Sequence, residues 1–337
     1  MDHVANPKLT SGELGNLWEQ YMSHSAVAVV LEHFQQHISC EDIKSICTRT
    51  LEMANNQKNI LKELFNKENY PLPTGFSAKD DLIQAAPKIM TDEFILFFLN
   101  NLSKVDLALT SLCLGDAARQ DIRKLYSDHI ETAKVLYEQS TSLLLDKGLF
   151  VRPPIITSTH EAKPMAEKGF LSSFFGQVNE RPLTAREANE LHKSIFLNHL
   201  GKSALMAFHQ TSRNPELKAL LLRGKELASK VMKEFSQVLI ENDLPVAMSS
   251  DTHVLDSTQS PFSDRLISFL VDEMNKFGLA NYGYGAAVSS RKDLMTLYAR
   301  IIADAYQYRD DVKKFMIENH WLEKPPVALD RLGLAHA

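Results

Sequence analysis

Thr10-Ser11-Gly12-Glu13 and Thr184-Ala185-Arg186-Glu187 are two copies of one helix-start signature, and the chain around them decides the fold. In such a capping box the Thr hydroxyl accepts from the N–H of the third helical residue, and the Glu carboxylate accepts from the N–H of the Thr. Each stretch therefore predicts a helix opening just after its Thr. Sliding the sequence by the 174 residues between them lays Leu9 on Leu183, Leu17 on Leu191, Phe34 on Phe208 and Pro71 on Pro245. After a two-residue slip, a shift of 172 lays Asp92 on Asp264, Arg119 on Arg291, Asp121 on Asp293, Tyr126 on Tyr298 and Pro153-Pro154 on Pro325-Pro326. A register held over that span with one slip implies an internal duplication.

Working outward, Leu14, Leu17, Tyr21, Ala28 and Leu31 form one apolar stripe on the first helix. A second helix from near Ser39 carries Ile43, Ile46, Thr50, Met53, Gln57, Ile60 and Leu64, and its counterpart opens at Asn214-Pro215. Pro71 and Pro245 end both helices, since proline cannot continue one. A polar connection follows in each copy. Third helices are expected near Thr91-Asp92 and Ser263-Asp264, and fourth helices near Asp116 to Asp121 and Ser290 to Asp293, with acid in the first turn where the helix dipole favours it. The expectation is an all-α protein of two tandem four-helix bundles, 9–154 and 183–330, joined by a linker at 155–182. Within that linker Phe170-Leu171-Ser172-Ser173-Phe174-Phe175 is expected to dock on a bundle.

Composition narrows the function classes. The net charge of -5 offers no global case for nucleic acid. Cys40, Cys47 and Cys113 match no zinc or redox spacing and read as reduced, small core residues. The first residues lack a signal-peptide core and no apolar run reaches membrane-spanning length, so the expectation is a cytoplasmic protein with no membrane span.

Few residues carry recognisable chemistry. None of the twelve histidines has an acidic residue three positions earlier, which argues against a ferritin-type di-iron centre. His33 and His37 share a helix face, but Ala207 and Thr211 replace them in the second copy, and they read as a solvated helix end. His24 and His129 fall on the apolar stripes of the first and fourth helices at matching depth, with Glu52 or Gln57 and Asp106 near that level. His24, His129, Glu52 and Asp106 are the candidate metal ligands, for Fe, Mn or Zn; the alternative is a hydrogen-bonded polar layer that sets helix register. In the second copy the two His positions hold Asn198 and Ile301, and Lys202, Glu273 and Asp304 suggest a buried charge network instead. There is no Gly-x-Ser-x-Gly elbow, and Gly283-Tyr284-Gly285 lacks the rest of a nucleotide loop.

Several phrases resemble the family of domain of unknown function 3231 of spore-forming bacteria. They are Leu9-Thr10-Ser11-Gly12-Glu13 with Leu17-Trp18, Pro71-Leu72-Pro73-Thr74-Gly75-Phe76, Arg152-Pro153-Pro154, Pro261-Phe262-Ser263-Asp264 and Trp321-Leu322-Glu323-Lys324-Pro325-Pro326. The resemblance implies a duplicated ferritin-like bundle, kinship with coat protein F, and no reaction or catalytic residue. The combined expectation is a non-enzymatic helical protein, spore-coat or stress associated, with a homo-oligomer or spore-coat proteins as partners. The competing expectation is a metal-binding or redox protein with its site inside the first bundle.

Overall fold

The computed structural model describes residues 7–157, 181–246 and 253–331. The long helices are α1 (Ser11–His37), α2 (Glu41–Lys67), α4 (Asp92–Asp116) and α5 (Gln120–Asp146) in the first copy. In the second they are α6 (Ala185–Thr211), α7 (Pro215–Glu241), α8 (Asp264–Val288) and α9 (Lys292–Glu318); a single turn, α3 (Ala78–Asp81), lies between α2 and α4. Among the described residues there is no strand; Met90 and Val254 form an isolated antiparallel bridge. The proposed docking of Phe170 to Phe175 falls outside the described residues, as does most of the linker.

The helix starts follow the local chemistry. Both capping boxes form: Thr10 Oγ1 accepts from Glu13 N–H and Thr184 Oγ1 from Glu187 N–H, while each Glu carboxylate accepts from its Thr N–H. Asn214 accepts from the N–H groups of both Glu216 and Leu217, with Pro215 in the first turn where its missing donor is no loss. Ser263 caps α8 through Leu266 N–H.

Two compact units result. The first is Met1–Gln84, Ile95–Gly148 and His320–Ala337; the second is Ala85–Phe94 and Leu149–Asn319. In the second unit, Ile89 and Met90 are buried, Thr91 N–H donates to His253 carbonyl, and Leu255 N–H donates to Ile89 carbonyl. In the first unit, Glu323 accepts from Thr74 N–H at 2.5 Å and Gly75 N–H at 3.4 Å.

One core packs Leu17 and Tyr21 of α1 on Leu61 and Phe65 of α2 and Ile122 and Tyr126 of α5, with Cys113 and Leu114 of α4 against them. The other packs Leu191 and Ile195 of α6, Val231 and Phe235 of α7, Tyr282 of α8, and Tyr298 and Ile301 of α9. At about 1.5–3 kcal/mol for each large apolar side chain buried, these layers supply the main drive to fold. Helix α4 is long and apolar enough to cross a membrane by length and composition alone. Its Ile95, Leu96 and Leu99 are fully buried in the protein.

Candidate functional site

The polar interior of the first unit contains the two histidines read from the sequence. Tyr21 and His24 share one buried face of α1, while Tyr126, His129, Ala133 and Leu136 repeat at helical spacing on α5. The imidazoles of His24 and His129 meet edge to face, ring centroids 5.1 Å apart. Asp106 of α4 brings a carboxylate oxygen to 3.8 Å from His129 Nε2. Both rings are buried, and neither nitrogen of His129 has a hydrogen-bond partner in the protein. Burial first, then the neighbouring His129, pulls the His24 pKa down to about 4 against the opposing pull of Asp106, so His24 is neutral near pH 7.

Glu52 does not join them. Thr50, Met53, Ala54, Gln57 and Leu61 make the buried stripe of α2, and Glu52 sits on the exposed side. One position along a helix is a turn of about 100°, enough to point a side chain away from the core. Among the described residues no group of three or more His, Cys, Asp and Glu is arranged to hold a metal ion. The donors that converge are two imidazoles and one carboxylate.

His33 corrects the solvated-end reading. It is buried, 4.5 Å from the His37 ring between centroids, its carbonyl 2.9 Å from His37 Nδ1, and burial takes its pKa to about 4. Cys47 is buried and its thiol is pushed up to about 12 by burial.

The second copy has a different interior. Asn198, in place of His24, exchanges hydrogen bonds with the Tyr282 hydroxyl at 2.7–2.9 Å, and Ile301 replaces His129 in the apolar core. Asp304 is half-buried and paired with Lys230, and Glu273 pairs with Lys276. Arg309 instead makes a two-bonded fork to Asp272 at 2.7 and 3.1 Å. The corresponding residues of the first copy are Tyr137 and Asn100, and Asn100 donates to Ser140 and Thr141.

What both copies share lies at one end of each bundle. Glu13 is fully buried; besides Thr10 it accepts from Ala118 and Arg119 N–H groups at 2.9 and 2.8 Å, so one carboxylate serves the starts of α1 and α5. Arg119 then grips Asp121 through Nε and Nη2, reaches Glu68 at 2.8 Å and donates to the Pro7 carbonyl. In the second copy Glu187 accepts from Ser290 and Arg291, and Arg291 grips Asp293, the Arg181 carbonyl and Asn242. Every one of these partners is the counterpart of a first-copy partner by the two shifts. Burial alone would raise the Glu187 pKa, but the Arg181 fork and the N–H donors outweigh it and hold the group down to about 2. The knot was visible in the sequence as aligned landmarks, although its joint geometry was not.

This duplicated frame coincides with a family match. The family described as "Protein of unknown function (DUF3231)" matches residues 3–161 and again residues 172–333. The chain belongs to that family. Its two matched segments are the two copies, so the duplication is a doubled DUF3231 unit. No curated protein matches the chain. A crystal structure from Bacillus halodurans C-125, described as that of a "putative spore coat protein", is similar at 18% identity and a TM-score of 0.42, over 45% of this chain and 98% of that one.

Proposed function

We propose that the chain is a non-enzymatic helical scaffold protein that acts through the surfaces of its two bundles, in association with the spore coat or stress physiology of its cell. The observation that carries the reading is the knot: Glu13, Arg119 and Asp121 recur as Glu187, Arg291 and Asp293 with the same bonds. Between these frames the polar interior changed, from His24 and His129 to Asn198 and Ile301. A chemistry common to both units would have kept its reacting groups; the features kept are those that hold helix ends together. The spore association is supported by the family resemblance of the motifs quoted above.

The test is fractionation of spores from cells expressing a tagged chain. Recovery in the detergent-resistant coat fraction, at equal level for a His24→Leu, His129→Leu variant, is the expected result. Recovery solely from the soluble fraction, or loss with that variant, overturns the reading.

One observation favours a second reading, a metal-binding or redox protein: the His24–His129 contact with Asp106 beside it. Elemental analysis of untagged, chelator-free protein tests it. Stoichiometric Fe, Mn or Zn that disappears in His24→Ala, His129→Ala supports that reading, and metal-free protein removes it.

A further inference from the structure

Each copy follows its last helix with a residue of positive φ, Gly148 at +67° and His320 at +59°, which are counterparts by the 172-residue shift. The tail of the first copy, from Leu149, belongs to the second unit, and the tail of the second copy, from His320, belongs to the first. The second of these tails carries a ligand for the unit it enters. Glu323 brings one carboxylate oxygen to the Thr74 N–H at 2.5 Å and the other to the Gly75 N–H at 3.4 Å.

The turn that receives it is built for an anion. Gly75 has a φ of +62°, and a left-handed residue among successive N–H groups directs them into one concavity, a backbone arrangement that holds negative charge. The next donor, Phe76 N–H, goes to Ser25 Oγ at 3.1 Å, and that buried hydroxyl donates in turn to the Met22 carbonyl at 2.8 Å. Helix α1 thereby fixes the turn. A Cβ on Gly75 would stand 2.8 Å from Ser25 Oγ and 2.9 Å from Tyr21 Cε1, so the approach is as close as the backbone allows. Tyr21 also feels the acid: burial first, and then the Glu323 charge, raise its phenol above the ordinary range.

The two halves of this contact are divided between the copies. From 243 to 252, the stretch that corresponds to the turn by either shift, the second copy has no glycine, and the first copy has Val151 where the second has Glu323. Independent loss of one half from each copy gives no reason for the two survivors to meet. Here the surviving receptor and the surviving ligand are hydrogen-bonded to each other.

We propose that residues 320–323 are a one-way latch: through Glu323 the end of the second copy closes on the Thr74–Gly75 turn, and the first unit reaches its full stability only once that tail is seated. Glu323 is half-buried and Thr74 exposed, so the latch can open without unfolding a core. Because the acid is tethered to the end of α9, its effective concentration at the turn is high, and two charge-assisted bonds suffice to hold it. The latch does not depend on the spore-coat reading.

Urea unfolding of the full chain tests it. Both tryptophans, Trp18 and Trp321, lie in the first unit, so their fluorescence follows that unit while circular dichroism follows all the helices. Glu323→Ala, a change in the tail of the second copy, is expected to lower the midpoint of the fluorescence transition with native helical dichroism unchanged. Gly75→Ala lowers it from the receptor side, and the double variant shifts it by less than the sum of the two, as two partners of one contact must. In a Trp18→Phe background, acrylamide quenching of the folded chain roughly doubles on Glu323→Ala, as Trp321 is released with the tail. A Glu323→Ala midpoint equal to that of the parent, additive shifts, or unchanged quenching overturns the latch. The quenching measurement leaves Gly75 in place, so it decides the matter even where Gly75→Ala does not fold.

Discussion

The carboxylate of Glu13 receives the backbone N–H of Arg119 at 2.8 Å, from a residue 106 positions further along the chain. That bond ties the start of the first helix to the start of the last one in the unit. A capping box alone leaves one carboxylate oxygen free, and here that oxygen satisfies two more orphan donors, Ala118 and Arg119.

Replacing Glu13 by Gln sets an amide donor against N–H donors in a buried place. The cost of leaving such groups unsatisfied is about 1–3 kcal/mol apiece, so the first unit is expected to lose about 2–4 kcal/mol in urea unfolding. Glu187→Gln weakens the second unit in the same direction and also strands the Arg181 fork. A loss near zero for both variants would show that water replaces the carboxylate freely.

Arg119 should not tolerate Lys. The guanidinium makes two bonds to Asp121 while also reaching Glu68 and the Pro7 carbonyl, a planar array that one ammonium cannot copy. Arg119→Lys and Arg291→Lys are each expected to cost about 1.5–3 kcal/mol, the range for a charge-assisted bond. Thermal unfolding of the two single variants measures it, and retention of the parental midpoint by both contradicts the role assigned to the fork.

Acid should loosen the first unit in a window set by its buried imidazoles. His24 and His33 are each held near 4 in the fold, below their ordinary 6.5, so the unfolded chain binds their protons more readily. The sign follows: their contribution is fully present above pH 6.5 and is lost as pH falls from 6.5 toward 4, by up to about 1.4 kcal/mol per pH unit for each group. In the second unit Glu187, held near 2, gives a separate loss lower down, between 4.5 and 2. Urea midpoints of the parent and of His24→Gln at pH 7, 6 and 5 check this, and the variant should show the shallower slope. Equal slopes would mean that protons reach the His24–His129 pair without cost.

Much of this was legible in the sequence because it is local or periodic. The caps at Thr10, Thr184 and Asn214 depend on residues two or three apart, and they formed as read. His24 and His129 were found by helical spacing, and their rings do touch. Glu52 was misplaced because stripe assignment has a tolerance of one residue, and one residue on a helix is a change of face. The second task of Glu13 was hidden because nothing local announces a partner more than a hundred residues away. The bridge between Met90 and Val254 was hidden for the same reason, within a connection that reads as polar loop.

Two helical glycines should respond to alanine with opposite signs. Alanine suits a helix interior better than glycine by up to about 1 kcal/mol, so where there is room the substitution stabilises. Gly201 in α6 has room, with nothing within 4 Å of the position a Cβ would take. Gly224 in α7 does not: its Cβ would run into the Tyr308 hydroxyl oxygen and stand 2.6 Å from the ring carbon bearing it. Tyr308 is buried and its hydroxyl donates to the Leu220 carbonyl at 3.1 Å, so it cannot step aside without losing that bond and its packing. Gly201→Ala is expected to raise stability by about 0.5–1 kcal/mol and Gly224→Ala to lower it by about 1–3 kcal/mol, the range for overpacking a core. Unfolding of the two variants side by side decides it, because propensity alone would move both upward while the close approach of Tyr308 moves only Gly224 down.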